Sequence, residues 1–314
     1  MNVLIYGGGA VGLGIATALI KSGCKVDIVA RGKTVEMLEK QGIERRGIFG
    51  SFHYKPDFFG VYSSIKEIED KHYDYILTAV KSNDSETAAK DIKENLDGKF
   101  DKIVLMQNGW GNFEIFSKQF DSKKIFNARV ITGFTRPEPN VSEITVHADY
   151  IKIGSISGEN RESIKELAEL IDKGGIPCIT TAEIVKDLWA KMLYNCALNP
   201  VGAIFGVNYG GLETSEYSRE IMKNIVDEIF EVMRAKGYKT YWENSEEYLK
   251  TFYEKLLPPT RGHYSSTLQD IRAGKRTEID ALNGQVVNLG EEAGVNVKVN
   301  RTIVQMIKFM ENKK

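Results

Sequence analysis

The spacing Gly7-x-Gly9-x-x-Gly12, set between an apolar run and a helical one, constrains this 314-residue chain more than any other feature. Val3, Leu4, Ile5 and Tyr6 are apolar with β-branched members, the composition of a strand buried on both faces of a parallel sheet. Val11, Ile15, Leu19 and Ile20 then recur at helical spacing, and Gly23 ends that helix before a second strand over residues 25–31. A strand, a glycine turn and a helix in this order form a dinucleotide cradle. Glycine there turns tightly, lets backbone approach a pyrophosphate, and lets the helix pack closely on the strand. The phosphates meet the N-terminus of the helix that starts near Ala10, where unpaired N–H groups favour negative charge. Gly7, Gly8, Gly9, Ala10, Val11 and Gly12 are therefore the candidate cofactor-binding turn.

The second strand bears on which dinucleotide is used. NAD sites place an acidic residue about twenty positions past the glycines to hold the ribose hydroxyls, and Asp27 is the candidate by counting. Ligands, however, bind outside the carboxyl ends of the strands. Asp27 falls four residues short of Arg31, about 13 Å at about 3.3 Å per residue. Arg31, with Lys33 behind it, is better placed, and a guanidinium there suits the 2′-phosphate of NADP(H).

Composition excludes other classes. A formal net charge of −1 points to neither nucleic acid nor an anionic membrane surface. Cys24, Cys178 and Cys196 are far apart, as are His53, His72, His147 and His263, so neither a disulfide framework nor a metal site is expected. Residues 3–20 are largely apolar, but no basic stretch precedes them and no run reaches the ~20 apolar residues of a membrane span, so a cytoplasmic protein is expected.

Strands over residues 75–80 and 103–106 alternate with a helix over 85–96, which predicts a parallel sheet with right-handed crossovers. Strand-like pieces between residues 126 and 154, broken by Arg136-Pro137-Glu138-Pro139-Asn140, suit an antiparallel extension of that sheet. The short strands within residues 42–64 have no assignable partner. From residue 183 the pattern is helical, over 183–199, 213–236, 245–256, 265–273, 277–293 and 300–312. The fold class is thus α/β: a Rossmann-type N-terminal domain over residues 1–181 with an antiparallel extension, followed by an all-helical domain over 182–314. Helical surfaces of the second domain could serve either its core or a homodimer interface.

That second domain opens with Lys191, Asn195 and Asn199 at i, i+4 and i+8, so successive side chains turn only ~40° on one helix face. Asparagine is a poor choice on an exposed helix interior, and Leu188, Trp189, Met192, Leu193 and Leu198 cover the remainder. Pro200 cannot donate to the Cys196 carbonyl, which predicts a bend or an end beside Asn199. Ser265 or Ser266 can cap the next helix, and Thr277 with Glu278 is expected to begin another, where Glu278 gains from the helix dipole.

Together, GGGAVG at 7–12, Arg31, Lys81 after a buried strand, QNG at 107–109, LWxKxxxNxxxNP at 188–200, and SSTLQD with RTEID within 265–280 resemble the ketopantoate reductase family. The match keeps the same order over almost the whole chain. The resemblance implies an NADPH-dependent reductase that turns 2-dehydropantoate into pantoate, for pantothenate and coenzyme A synthesis, with hydride delivered to the C2 carbonyl. Reduction of another 2-oxo acid, or non-catalytic NADPH sensing, are the alternatives. By position it implies Lys191 as the catalytic general acid and Glu278 as its acidic partner. It places Asn108, Asn195, Asn199 and Ser266 at the substrate, and Gly7, Gly9, Gly12, Arg31, Lys81, Asn108 and Glu278 at the cofactor. The sequence departs from the family at VNVKVN (295–300), which lacks the usual prolines, and at Thr267, where methionine is common.

Overall fold

In the computed structural model, which describes residues 1–313, the chain divides into two units, Met1–Gln107 with Asn112–Ile184, and Asn108–Gly111 with the residues from Val185 onward. The first unit runs β1 (Asn2–Tyr6), α1 (Ala10–Lys21), β2 (Lys25–Val29), α2 (Lys33–Gln41), β3 (Ile43–Gly47), β4 (Phe52–Tyr54), β5 (Phe59–Tyr62), β6 (Tyr73–Thr78) and α3 (Ser85–Leu96). It continues through β7 (Phe100–Leu105), α4 (Asn112–Ser117), β8 (Ile125–Arg129), β9 (Thr132–Thr135), β10 (Val141–His147), β11 (Ile151–Gly154), α5 (Lys165–Lys173) and β12 (Cys178–Thr180).

Alternation along β1 sends Val3 and Ile5 into one core and Leu4 and Tyr6 into another, so this strand lies inside a sheet covered on both faces. The eight-stranded sheet has the order β12-β11-β8-β7-β6-β1-β2-β5. Its six parallel strands β1, β2, β5, β6, β7 and β8, counted in chain order, stand as 3-2-1-4-5-6, the doubly wound dinucleotide-binding arrangement. The antiparallel extension is β11, which pairs antiparallel with β8 and parallel with β12.

The rest of the segment between residues 126 and 154 departs from that expectation. β9 and β10 leave the main sheet and join β3 and β4 in a second sheet of order β4-β3-β10-β9, which supplies the missing partners for β3 and β4 within residues 42–64, while β5 of that stretch pairs with β2 in the main sheet. The reason lies in α1, whose residues from Gly12 to Ile20 are all buried. A helix apolar all round needs cover on every side. The main sheet covers one side and the small sheet another: a Cβ on Gly12 would stand 2.1 Å from the Gly7 carbonyl oxygen, and one on Gly14 would stand 2.5 Å from the Phe134 ring. Ser142 of β10 also donates to the Ala10 carbonyl at 2.7 Å. Leu13, Ile15, Leu19 and Ile20 are at most 8 % exposed, and each contributes roughly 1.5–3 kcal/mol through burial.

The second unit runs α6 (Ile184–Phe205), α7 (Tyr209–Glu213), α8 (Glu216–Lys236), α9 (Ser245–Thr251), α10 (Ser266–Arg272), α11 (Asn283–Ala293) and α12 (Lys298–Asn312). Two helix boundaries differ from expectation here for side-chain reasons. Of a bend or an end beside Asn199, the end does not occur: α6 continues to Phe205. The Cys196 carbonyl that Pro200 leaves without a donor accepts from Asn283 Nδ2 at 3.2 Å, and Ser265 Oγ donates to the Asn199 carbonyl at 2.9 Å. Conversely, residues 277–282 are not helical and α11 begins only at Asn283. Thr277 instead forms a polar turn, its N–H and hydroxyl donating to Glu311 Oε1 at 2.7 and 2.6 Å and its Oγ1 accepting from Ile279 at 3.2 Å. Glu278 therefore does not sit in a helical first turn. The predicted 213–236 helix is α8, which starts at Glu216 after the short α7 that the sequence did not indicate, and the one over 245–256 passes into a π-helical turn at Phe252.

Cys24, Cys178 and Cys196 are 7, 3 and 0 % exposed, and burial pushes each thiol up. Among the described residues no helix is long and apolar enough to cross a membrane. Asn283→Ala leaves the Cys196 carbonyl buried without a donor, a loss of roughly 1–3 kcal/mol, read as a lower urea midpoint. Adding Pro200→Ala returns a backbone N–H to that carbonyl and is expected to recover part of the loss; a cycle with no recovery would disprove the substitution of one donor for the other.

Candidate active site

The glycine turn divides its work among three residues. Gly7 has φ +124°, and a Cβ there would stand 2.8 Å from the backbone of Ala79 and Val80 at the end of β6, so only glycine makes this turn. Gly12 packs α1 on β1, as described above. Around Gly9, the N-cap of α1, a Cβ would meet nothing closer than 3.8 Å, which leaves the approach to the helix N-terminus open. Gly8 is held closely from the other side, with its Cβ position 2.6 Å from Ala30. Ala10 and Val11 form the first turn of α1. This cradle fits a pyrophosphate.

β2 ends at Val29, so Arg31 lies just past the strand, its side chain 71 % exposed and 3.2 Å from Asp84. Lys33 is the first residue of α2, and Lys81 immediately precedes the turn Ser82–Asp84 beyond β6. Asp27 is engaged within the sheet, where its Oδ2 accepts from Tyr73 at 2.7 Å and from Lys71 at 2.9 Å. One cation at the cradle escapes a reading of the sequence: Arg136 donates through Nη1 to the Gly8 carbonyl at 3.1 Å and to Thr34 Oγ1 at 3.3 Å. Its Arg-Pro-Glu-Pro context marks only a strand break. The usable signal is indirect, in that α1 is apolar on every face and so requires a second covering layer.

In the helical unit, the short segment Asn108–Gly111 is fixed by Trp110. Its N–H donates to the Ala281 carbonyl at 2.9 Å, and its ring lies 4.9 Å from that of Trp189 and 5.0 Å from that of Tyr238. Gly109 has φ +87°, and a Cβ there would stand 2.4 Å from the Ala281 oxygen. Asn108 is thereby held between two charges. Its Oδ1 accepts from Lys191 Nζ at 2.5 Å, and its Nδ2 donates to Glu278 Oε2 at 3.0 Å. An ammonium only donates and a carboxylate only accepts, so the carboxamide has one permitted orientation. Lys191, Asn108 and Glu278 are all half-buried. An ammonium so held can hydrogen-bond and protonate an oxygen on which negative charge develops.

Asn195, one turn along α6 from Lys191, is half-buried on the same face. Asn199 is 5 % exposed, and its Oδ1 accepts from the Tyr209 hydroxyl at 2.6 Å. Burial pushes the Tyr209 hydroxyl up, so it stays protonated as the donor. Of the two serines, Ser265 is the helix cap, accepting from Leu268 N–H at 3.1 Å. That leaves Ser266, the first residue of α10, exposed. The structure thus joins Lys191, Asn108 and Glu278 in one hydrogen-bonded chain, places Asn195 beside it, and ties Asn199 to the cap of the helix that carries Ser266.

Residues 3–158 match the family described as ketopantoate reductase PanE/ApbA, and residues 183–311 match the ketopantoate reductase PanE/ApbA C-terminal family. The chain is 37 % identical to 2-dehydropantoate 2-reductase of Aquifex aeolicus over 99 % of its length and 97 % of that protein. It is 31 % identical to the 2-dehydropantoate 2-reductase of Archaeoglobus fulgidus, covering 99 % of the chain and 98 % of that protein. Among solved structures, a PanE/ApbA family ketopantoate reductase from Ralstonia eutropha JMP134 superposes with a TM-score of 0.87 at 27 % identity, covering 100 % of this chain and 99 % of that one. With both halves of the sequence matched in order and full-length relatives above 30 % identity, the chain belongs to the ketopantoate reductase family.

Proposed function

We propose that this protein reduces 2-dehydropantoate to pantoate with NADPH, with Lys191 as general acid. The observation that carries the reading is the hydrogen-bonded chain Lys191–Asn108–Glu278, in a sequence 37 % identical to a 2-dehydropantoate 2-reductase. When bound, the reduced nicotinamide supplies hydride to the C2 carbonyl of the substrate. Lys191 Nζ hydrogen-bonds the carbonyl oxygen and delivers a proton as the alkoxide forms, a contribution of about 10² to 10⁴ in rate. The Asn108 carboxamide holds that ammonium in line, and the Glu278 carboxylate, its acidic partner, fixes the carboxamide by accepting from Asn108 Nδ2. Asn195, Asn199 and Ser266 are neutral hydrogen-bonding groups, which hold the substrate's hydroxyl and carboxylate without burying a counter-charge.

Gly7 to Gly12 and the N-terminus of α1 hold the pyrophosphate, while Arg31 and Lys81 supply positive charge to the cofactor's phosphates, Arg31 to the 2′-phosphate. Residues 1–181 then form the nucleotide-binding half and 182–314 the catalytic half, to which Asn108–Gly111 also contributes. Three buried thiols suit the reducing cytoplasm in which we place the protein.

Three outcomes test this reading. Lys191→Ala lowers kcat at least about 100-fold while the NADPH dissociation constant changes little; near wild-type turnover would remove Lys191 from the mechanism. In a panel of 2-oxo acids assayed with NADPH, 2-dehydropantoate gives the highest kcat/KM, and a better substrate would redirect the assignment within the family. Tight NADPH binding without oxidation by any of these acids would instead identify a sensor.

A further inference from the structure

Arg136 is used by neither the Lys191 site nor the fold's own hydrogen-bond needs in full. It lies between β9 and β10, in a connection made stiff by Pro137 and Pro139. The small sheet is laid on α1 through Phe134 over Gly14 and Ser142 on the Ala10 carbonyl, so this connection is carried to the N-terminal end of that helix. There Nη1 bridges the Gly8 carbonyl and the Thr34 hydroxyl. Thr34 lies in the first turn of α2, and its N–H donates back to the Arg31 carbonyl at 3.3 Å.

The guanidinium therefore spans two turns, the one after β1 and the one after β2. In a 3-2-1-4-5-6 sheet these turns border the adenosine ribose of a bound dinucleotide. One nitrogen is spent on anchoring, but Nε and Nη2 make no hydrogen bond with any described residue, and the side chain is exposed. Those two nitrogens form the fork that meets two oxygens of a phosphate at once. The neighbouring carboxylate of Glu138 faces Arg46 at 3.5 Å, and Arg31 gives one of its own nitrogens to Asp84.

We propose that Arg136 is a specificity-determining residue, a second arginine that pairs through Nε and Nη2 with the 2′-phosphate that Arg31 also meets. This rests on the NADPH reading above and adds to it a reader contributed by the small sheet.

The test measures dissociation constants of NADPH and NADH, by quenching of tryptophan fluorescence, for the full-length protein and its Arg136→Ala, Arg136→Lys and Arg31→Ala variants. Wild type is expected to prefer NADPH. Arg136→Ala weakens NADPH about tenfold and NADH by less than about twofold, the loss of one charge-assisted pair. Arg136→Lys, which keeps the charge without the fork, falls between. Because NADH shares everything but the 2′-phosphate, a merely structural role moves both constants together and would overturn the proposal, as would stacking of the guanidinium on adenine. A wild-type preference lost in Arg31→Ala but intact in Arg136→Ala would sink this proposal alone. Absence of any preference in wild type would sink the NADPH reading and this proposal with it.

Discussion

The helix α1 has no free face, and the first unit is arranged around that constraint. The Gly12 carbon lies too near the Gly7 carbonyl, and the Gly14 carbon too near Phe134, for either to carry even a methyl group. A helix gripped this tightly cannot slide along its axis, because close-packed interiors resist displacement by the width of a single carbon. The turn at its N-terminus is therefore fixed relative to β1 and β6 on one side and to the small sheet on the other. The position of a phosphate site is decided by packing well before any phosphate arrives.

In the helical unit the corresponding constraint is electrostatic and local. A carboxamide is the one small side chain that offers an acceptor to an ammonium and a donor to a carboxylate in the same plane. Aspartate at position 108 would face Glu278 with a like charge, and leucine would remove the hydrogen bond that each ion makes to this residue. The same logic of paired needs explains α6. A proline in mid-helix costs about 3 kcal/mol where its freed carbonyl finds nothing, and here Asn283 answers for the Cys196 oxygen.

How far the sequence reveals this follows from the range of each interaction. The β1–α1–β2 unit is legible because its signals are contiguous: apolar alternation, three glycines at fixed offsets, and a helical period. Lys191 and Asn195 share a face because four residues return the helix to nearly the same side; Glu278 as the acidic partner of Lys191 follows only from family resemblance, and Asn108 as the link between those two charges is visible only in the structure. The small sheet is illegible because it pairs Val141 with Glu44 and Ser142 with Arg45 across most of the unit, and no local period encodes such a partner. The errors at helix ends have a different source. Continuation through Pro200 and the delayed start of α11 depend on Asn283 and Glu311, side chains that stand far along the chain from the backbone groups they satisfy. Arg136 combines both difficulties, being a loop residue whose neighbours come from the long-range pairing.

The burial of the three thiols has a consequence for how the protein meets its chemical surroundings. A thiolate is the reactive form, and none of the three is more than 7 % exposed, with burial disfavouring the thiolate at each. Alkylating agents and peroxides then reach sulfur only when the structure opens. The Cys24 and Cys178 sulfurs belong to the first unit and Cys196 to the second, so the three labelling rates become separate clocks for the breathing of each half.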